Sequence, residues 1–275
     1  MLAELSEQDA TGELAVIYRE IREFCAVPYV SSLQRHLATR PGWLEWGWQC
    51  VRPVFASGIA QEAAWHATAV VEARALPAVA PAVANLWGVD ATQRRIVRDI
   101  AELFVRVSPT NLMFSAMVRF LLAGRDARGT KTLPRWRPPE AIPEPPGMVA
   151  FEDLNGDAYA ALMRFGTEVA GQPFVPGLYR MMAHWPGFLG YLNTTLAPRL
   201  HDEESAAACM TVQRRVDEAA EHVFQQLPPP DGSWPMPPVA EHEDVLDAVE
   251  RYRVTSPQMI VFGTLIKNCL REDTQ

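Results

Sequence analysis

An internal duplication constrains the fold of this chain more than any other feature of its sequence. When Pro28–Phe55 is laid over Pro173–Leu200 without a gap, the segments agree at nine of 28 positions, including Arg35 with Arg180. Chance alone would give about two agreements, so the match indicates a repeat. A second pair of segments, "RVSPTNLMF" and "RVTSPQMIVF", aligns Ser108 with Ser256. Both matches predict two repeats of nearly equal length.

Helical patterns dominate both repeats. Alternating Val/Ile/Thr runs bounded by hairpin turns are scarce, whereas alanine-rich segments carry apolar residues at helical spacing. We therefore predict an all-α fold in which tandem helical repeats form a pseudo-dimer about a pseudo-twofold axis, with a pocket where they meet. Repeat 1 is assigned to 1–124, a proline-rich linker to 125–149, and repeat 2 to 150–275, packed as one intimate domain.

Composition narrows the classes of function. The formal net charge is -8 and the basic residues are scattered, which argues against nucleic acid as a partner. No signal peptide or long apolar run is found, so we expect a cytoplasmic protein with no membrane contact. The four cysteines form no CxxC pair, the histidines form no recognisable metal motif, and no nucleotide-binding glycine pattern occurs. We expect neither a metal nor a cofactor.

Two arginines occupy the same place in the duplicated motif. Arg35 and Arg180 are candidates for gripping a carboxylate or sulfate with their guanidinium groups. A purely structural role, in which each arginine ties its helix to neighbouring groups, would explain the symmetry equally well.

Two further segments carry candidate catalytic groups. Ser108 precedes a proline and an apolar run, so we predict that it caps a helix whose first amides favour an anion, with Asn111 one turn on. Plain capping is the alternative. Glu62 and His66, beside Gln61, are four residues apart on one predicted helical face, as an acid/base pair or a solvated surface pair would be.

The segments "VPYV" and "LATRPG", their echo "FVPGLYRMMAHWPG" and the proline-rich linker resemble the group I 2-haloacid dehalogenases, which act on both D and L substrates. The resemblance covers essentially the whole chain. It implies an all-α pseudo-dimer with a buried site between its repeats. It also implies direct attack of an activated water on the carbon that carries the halogen, without a covalent enzyme ester.

The same resemblance assigns roles to positions. The aspartate that activates water in the family falls on Leu178, and no acid lies between Gly171 and Pro186. A family asparagine falls near Ser108, with Asn111 one turn on, and a family acid falls near Gln61, with Glu62 next to it. Tyr29 stands where the family has an aromatic pocket wall. The substrate-binding candidates are Tyr29, Arg35, Gln61, Leu178, Tyr179 and Arg180, and the catalytic candidates are Glu62, His66, Ser108 and Asn111.

A leucine cannot take a proton from water, so simple hydrolysis is disfavoured. We therefore hypothesise displacement of halide or sulfate at an sp3 carbon by an amine of the substrate itself, which would form a small ring such as an aziridine in a biosynthetic pathway. The alternatives are a hydrolytic dehalogenase with a relocated base, Glu62 or His66, and a non-catalytic binding homologue. The expected partner is a small-molecule substrate. A carrier protein or a partner subunit is a further candidate partner, which would present this substrate to the site. A dimer also fits.

Overall fold

The computed structural model describes residues 3–130, 132–169, 172–229, 232 and 235–270. Eleven α-helices are found in these residues, and none is long and apolar enough to cross a membrane. They are α1 (Gly12–Cys25), α2 (Ser32–Leu37), α3 (Trp43–Ala56), α4 (Ile59–Thr68), α5 (Pro81–Leu86), α6 (Ala91–Leu122), α7 (Gly156–Met163), α8 (Gly177–Met182), α9 (Pro186–Thr195), α10 (Glu203–Phe224) and α11 (His242–Cys269). The ends of the two assigned repeats at residues 1–2 and 271–275, and residue 131 of the linker, lie outside the described residues.

The all-α fold class predicted from the sequence is confirmed. Two short strands, β1 (Thr167–Val169) and β2 (Gln172–Phe174), form an antiparallel ribbon. No alternation of apolar and polar residues in the sequence predicted these strands. Helices follow in the same order in both halves: α1, α2, α3, α4 and α6 in the first correspond to α7, α8, α9, α10 and α11 in the second. The order supports a duplication, and the twofold relation of the halves stays a prediction.

One hydrophobic core runs through both halves. The long helices α6 and α11 pack along each other, and α10 packs on α4 and α6. A buried arginine joins the three longest helices, because Arg253 on α11 donates to both carboxylate oxygens of Asp217 at 2.7 Å and to Ser115 Oγ at 3.1 Å. A buried charge is tolerated when it is paired in this way, so these helices form a rigid frame.

The prediction that Ser108 caps a helix was wrong. Helix α6 runs without interruption from Ala91 to Leu122, and Pro109 lies in its interior. Proline has no amide hydrogen, so the carbonyl four residues earlier loses its helical partner, at a cost of about 3 kcal/mol that tertiary packing must offset. Pro257 lies inside α11 in the same way. Ser108 therefore lies inside a helix and offers no helix-end amides to an anion.

The proline-rich linker is fixed to the surfaces of both repeats. Gly129 N donates to Leu227 O at 2.8 Å, Trp136 Nε1 donates to Phe24 O at 3.1 Å, and Arg106 donates to Glu140 O at 2.7 Å. The Trp136 ring lies directly against Gly58, where any added Cβ would collide with it. These contacts direct residues 144–148 towards the junction of the two repeats.

Buried thiols predict a loss of stability at alkaline pH. Burial raises the pKa of Cys25 and of Cys269 to about 12 and that of Cys209 to about 11. In the unfolded chain these thiols ionise near pH 8.5. Above that pH the folded chain therefore binds more protons than the unfolded chain, and the free energy of unfolding falls as pH rises. We expect the urea midpoint to drop steadily from about pH 8.5 to 11; a level midpoint over this range would contradict the expectation.

Candidate active site

A cavity of about 370 Å³ lies where the duplicated segments of the two halves meet. Its walls come from the α2 and α8 segments, from the middle of α6 and α11, and from two extended pieces of chain at residue 4 and residues 144–148. Three patterns found in the sequence, the repeated motif, the two Ser-Pro steps and the linker, thus converge on one space.

Eight pairs of equivalent residues line this cavity. Four pairs are 145 residues apart and four are 148 apart, the two spacings at which the repeats align. The pairs are Tyr29/Phe174, Ser31/Pro176, Ser32/Gly177, Arg35/Arg180, Phe104/Tyr252, Val107/Thr255, Ser108/Ser256 and Asn111/Met259. Only the arginine pair and the Ser108/Ser256 pair are identical, so the two halves of the wall differ in chemistry.

The repeat 1 half of the wall is polar. Gln34 Nε2 donates to Asn111 Oδ1 at 3.0 Å, and Ser31 Oγ donates to the same oxygen at 2.9 Å. These bonds fix the Asn111 amide beside the cavity, and Ser108 lies one turn earlier on the same face of α6. The positions equivalent to Ser31, Gln34 and Asn111 in repeat 2 hold Pro176, Tyr179 and Met259. The repeat 2 half of the wall therefore lacks these three polar groups, and its polar side chains are Arg180, Tyr252, Thr255 and Ser256.

The two equivalent arginines both reach the cavity, but their charges are compensated differently. Arg35 Nη2 lies 2.5 Å from Glu4 Oε2, and the Glu4 carboxylate also lines the cavity. The N-terminal segment is held in place by its backbone, since Leu5 N donates to Arg35 O at 2.9 Å and His36 Nδ1 lies 2.7 Å from Ala3 O. The positive charge of Arg35 is thus largely neutralised within the protein.

Arg180 has no carboxylate within ion-pair distance among the described residues. Its Nε and Nη2 donate to the carbonyl oxygen of Val149 at 3.1 and 2.8 Å, and its guanidinium group lies 4.8 Å from the centre of the Phe151 ring. A carbonyl and an aromatic ring orient the guanidinium group without cancelling its charge. This side of the cavity is therefore suited to an anion.

The structure brings Tyr29, Arg35, Ser108, Asn111 and Arg180 together at the cavity. Tyr29 forms part of the aromatic wall, with its ring centre 6.5 Å from that of Phe104. Burial raises the pKa of Tyr29 far above its ordinary value, against the opposing effect of Arg35. The Tyr29 phenol therefore stays protonated at neutral pH and can donate a hydrogen bond.

Gln61, Glu62 and His66 do not reach the cavity. Glu62 and His66 are exposed on the surface of α4, as a solvated pair would be. Gln61 is fully buried, and its Nε2 donates to Phe24 O at 3.0 Å and to Phe55 O at 2.9 Å. Gln61 thus ties three segments of repeat 1 together. A relocated base at Glu62 or His66 is incompatible with these positions.

Leu178 and Tyr179 also lie behind the wall. Leu178 is fully buried in the core, and Tyr179 stacks on Phe165 with ring centres 4.5 Å apart. In the first turn of α8 the residue that lines the cavity is Gly177, where an added Cβ would lie 3.3 Å from Met148 Sδ and 3.4 Å from the Phe104 ring. A carboxylate at 178 would point into the core, whereas one at 177 would enter the cavity.

Sequence reasoning missed Glu4, Tyr252 and the linker residues of the wall. Glu4 and the linker lie in segments without periodicity, so no pattern marked them. Tyr252 had a usable signal, because it is the equivalent of Phe104 at the same spacing that relates Ser108 to Ser256. No group of three His, Cys, Asp or Glu side chains in the described part of the chain is arranged to hold a metal ion.

No protein-family model matches the chain. A curated (R)-2-haloacid dehalogenase from Rhizobium sp. (strain NHG3) is 24% identical over 234 residues, which are 82% of this chain and 87% of the relative. A crystal structure of a D-2-haloacid dehalogenase mutant has a TM-score of 0.74 at 19% identity, covering 98% of this chain and 95% of its own. A D-2-haloacid dehalogenase in complex with L-LA has a TM-score of 0.73 at 19% identity, covering 98% and 96%. Over most of its length, this chain is thus similar in sequence to an (R)-2-haloacid dehalogenase and in fold to D-2-haloacid dehalogenases.

Proposed function

We propose that this chain is a dehalogenase-like enzyme that displaces halide or sulfate from an sp3 carbon of a small carboxylic acid. Two observations support the proposal. The curated relative acts, by its name, on (R)-2-haloacids. The cavity offers, in Arg180, a cation without a carboxylate partner among the described residues, which is the group that a carboxylate ligand needs. The second observation carries the assignment of the site.

We further propose that the nucleophile belongs to the substrate. The acids in the cavity wall are Glu4, which is paired with Arg35, and Glu144, which is exposed. Neither is therefore a buried and unpaired carboxylate that could serve as a base for water. An amine two atoms from the leaving group needs only to be positioned: its nitrogen bonds to the carbon, the leaving group departs with the electron pair, and the proton passes to solvent. The nucleophile and the leaving group are already in one molecule, so the protein contributes by holding the conformation in which the nitrogen lies opposite the leaving group.

The test compares two acids that differ by one amine. We expect the protein to accelerate chloride release from 2-chloro-3-aminopropionate, with aziridine-2-carboxylate as the product, and to leave 2-chloropropionate unchanged. Chloride is measured by ion chromatography and the ring by NMR, with the spontaneous reaction subtracted. Chloride release from 2-chloropropionate would instead show a hydrolase, with Glu4 as the remaining candidate base. Silence with both acids would indicate a non-catalytic binding protein.

We expect Arg180→Met to weaken binding of 2-chloropropionate about 10- to 100-fold, because a hydrogen bond to a charged group contributes about 1.5–3 kcal/mol. The matched control is the double variant Arg35→Met/Glu4→Gln, which removes the equivalent arginine without leaving an unpaired carboxylate. It should change the affinity less than threefold. Calorimetry gives both dissociation constants, and equal losses in the two variants would show that Arg180 is not the main anion site.

Presentation of the substrate by a carrier protein or a partner subunit, dimerisation and a cytoplasmic location stay predictions from the sequence.

A further inference from the structure

A second concavity of about 530 Å³ lies beside the cavity, on the other side of the end of the linker. We call it the linker groove. It is lined by Gly147, Met148, Val149, Ala150, Asp153, Leu154, Asn155, Ala158, Ala183, His184 and Pro186. Apolar residues are the majority by number, whereas Asp153, Asn155 and His184 add polar surface. Two of the lining residues, Gly147 and Met148, also line the cavity. The two spaces therefore share a wall that is only two residues thick along the chain.

The Met148 side chain is the movable part of this wall. Its sulfur lies near Gly177, which has no side chain to hold it there, and the residue is 46% exposed. Methionine is unbranched and adapts its conformation at low cost. The Met148 side chain is therefore the part of the shared wall that can change conformation while the backbone stays in place.

Arg180 lies at the same junction. It lines the cavity, and its guanidinium group is bonded to the carbonyl oxygen of Val149, which belongs to the linker groove. An acid held by Arg180 would therefore have its remaining atoms next to Met148. The size of the cavity also favours a ligand larger than a three-carbon acid, because about 370 Å³ is within the range of pockets for drug-sized ligands.

We propose that the substrate is an extended carboxylic acid whose apolar tail passes Met148 and lies in the linker groove. This inference rests on the proposed function, because it takes the cavity around Arg180 as the site of the carboxylate. It specifies the substrate class: the reacting carbon lies in the cavity, and a chain of several methylene groups or an equivalent apolar arm lies outside it.

The experiment measures binding of 2-chloropropionate and 2-chlorooctanoate by calorimetry. Each buried methylene raises affinity about fourfold, so burial of three of the five additional groups gives about 60-fold. We expect 2-chlorooctanoate to bind the unaltered protein at least about 50-fold more tightly. Equal affinities for the two acids, or no detectable binding of 2-chlorooctanoate, would overturn the proposal.

Two variants of α7 locate the tail. Ala158 lines the linker groove, whereas Ala160 is exposed on the same helix and does not. We expect Ala158→Trp to remove at least tenfold of the affinity for 2-chlorooctanoate and to leave that for 2-chloropropionate unchanged, while Ala160→Trp changes neither. Equal effects of the two variants would place the tail elsewhere. Ala158→Leu, a smaller change, should give an intermediate loss if tryptophan disturbs folding.

The readout is independent of the reaction. If 2-chloro-3-aminopropionate is not cyclised but the chain-length dependence is found, the proposed displacement fails and the tail site stands. If cyclisation occurs without a chain-length dependence, the proposed function stands and the extended substrate is excluded.

Discussion

We expect the Gly177→Asp variant to release chloride from 2-chloropropionate at a rate about 10²–10⁴-fold above that of the unaltered protein, the usual contribution of a general base. The side chain at 177 enters the cavity, where the acids already present are Glu4, which is paired with Arg35, and Glu144, which is exposed to solvent. The new carboxylate would face an acid held by Arg180 and could take a proton from the attacking water. The nearest atom to the new Cβ, Met148 Sδ at 3.3 Å, belongs to a flexible and partly exposed side chain, so the substitution fits.

The matched control for this gain is Gly177→Asn, which has the same shape and no basic oxygen. It should bind 2-chloropropionate and release no chloride. Chloride release is followed for both enantiomers over a range of pH. A folded Gly177→Asp variant without activity, or equal activity in both variants, would show that the cavity does not present the halogen-bearing carbon to position 177.

We expect Leu178→Asp to lower the free energy of unfolding by at least about 4 kcal/mol and to give no gain in activity. Leu178 is fully buried. Loss of its side chain alone costs about 2–5 kcal/mol, and an unpaired buried carboxylate adds a further penalty. Urea denaturation measures the loss.

Leu178→Ala is the control for Leu178→Asp, since it removes the apolar side chain without adding a charge. The aspartate variant should be clearly less stable than the alanine variant above about pH 4, where the carboxyl group of the unfolded chain ionises, and the difference should shrink as the pH falls towards that value. A stable Leu178→Asp variant that releases halide would mean that position 178, as the sequence resemblance implied, faces the substrate.

Positions 177 and 178 differ in a way that the sequence could not predict, since residue 177 lines the cavity and residue 178 is buried in the core. The duplication located the α8 segment and predicted that it borders the site, because a repeated pattern is a property of the chain alone. Which side chain of a six-residue helix faces a cavity depends on its neighbours, here Met148 from the linker and Phe104 from α6. Both neighbours are more than 25 residues away in sequence, and no local pattern encodes their positions.

The other differences between the sequence predictions and the structure also arise from packing between distant segments. Pro109 and Pro257 are strong helix-breaking signals, yet α6 and α11 continue through them because packing of the two long helices outweighs the local cost. The spacing of Glu62 and His66 correctly indicates one helical face, but spacing does not tell which face points outwards. Tyr29, Arg35, Ser108, Asn111 and Arg180 line one cavity because they belong to the segments that the repeats share, and their roles stay predictions.

The covalent connection of the two repeats has a consequence for how such a site can change. In a dimer of identical chains, every mutation appears on both sides of the shared cavity. An acid at the position of Glu4 would then face both equivalent arginines and neutralise both. In this fused chain Leu5 N donates to Arg35 O and Val149 N donates to Arg180 O, so the position equivalent to Glu4 in repeat 2 is Met148, which carries no charge. Fusion therefore allows the charge of Arg35 to be neutralised while Arg180 keeps its charge. The cavity then has a different end for each part of an asymmetric ligand.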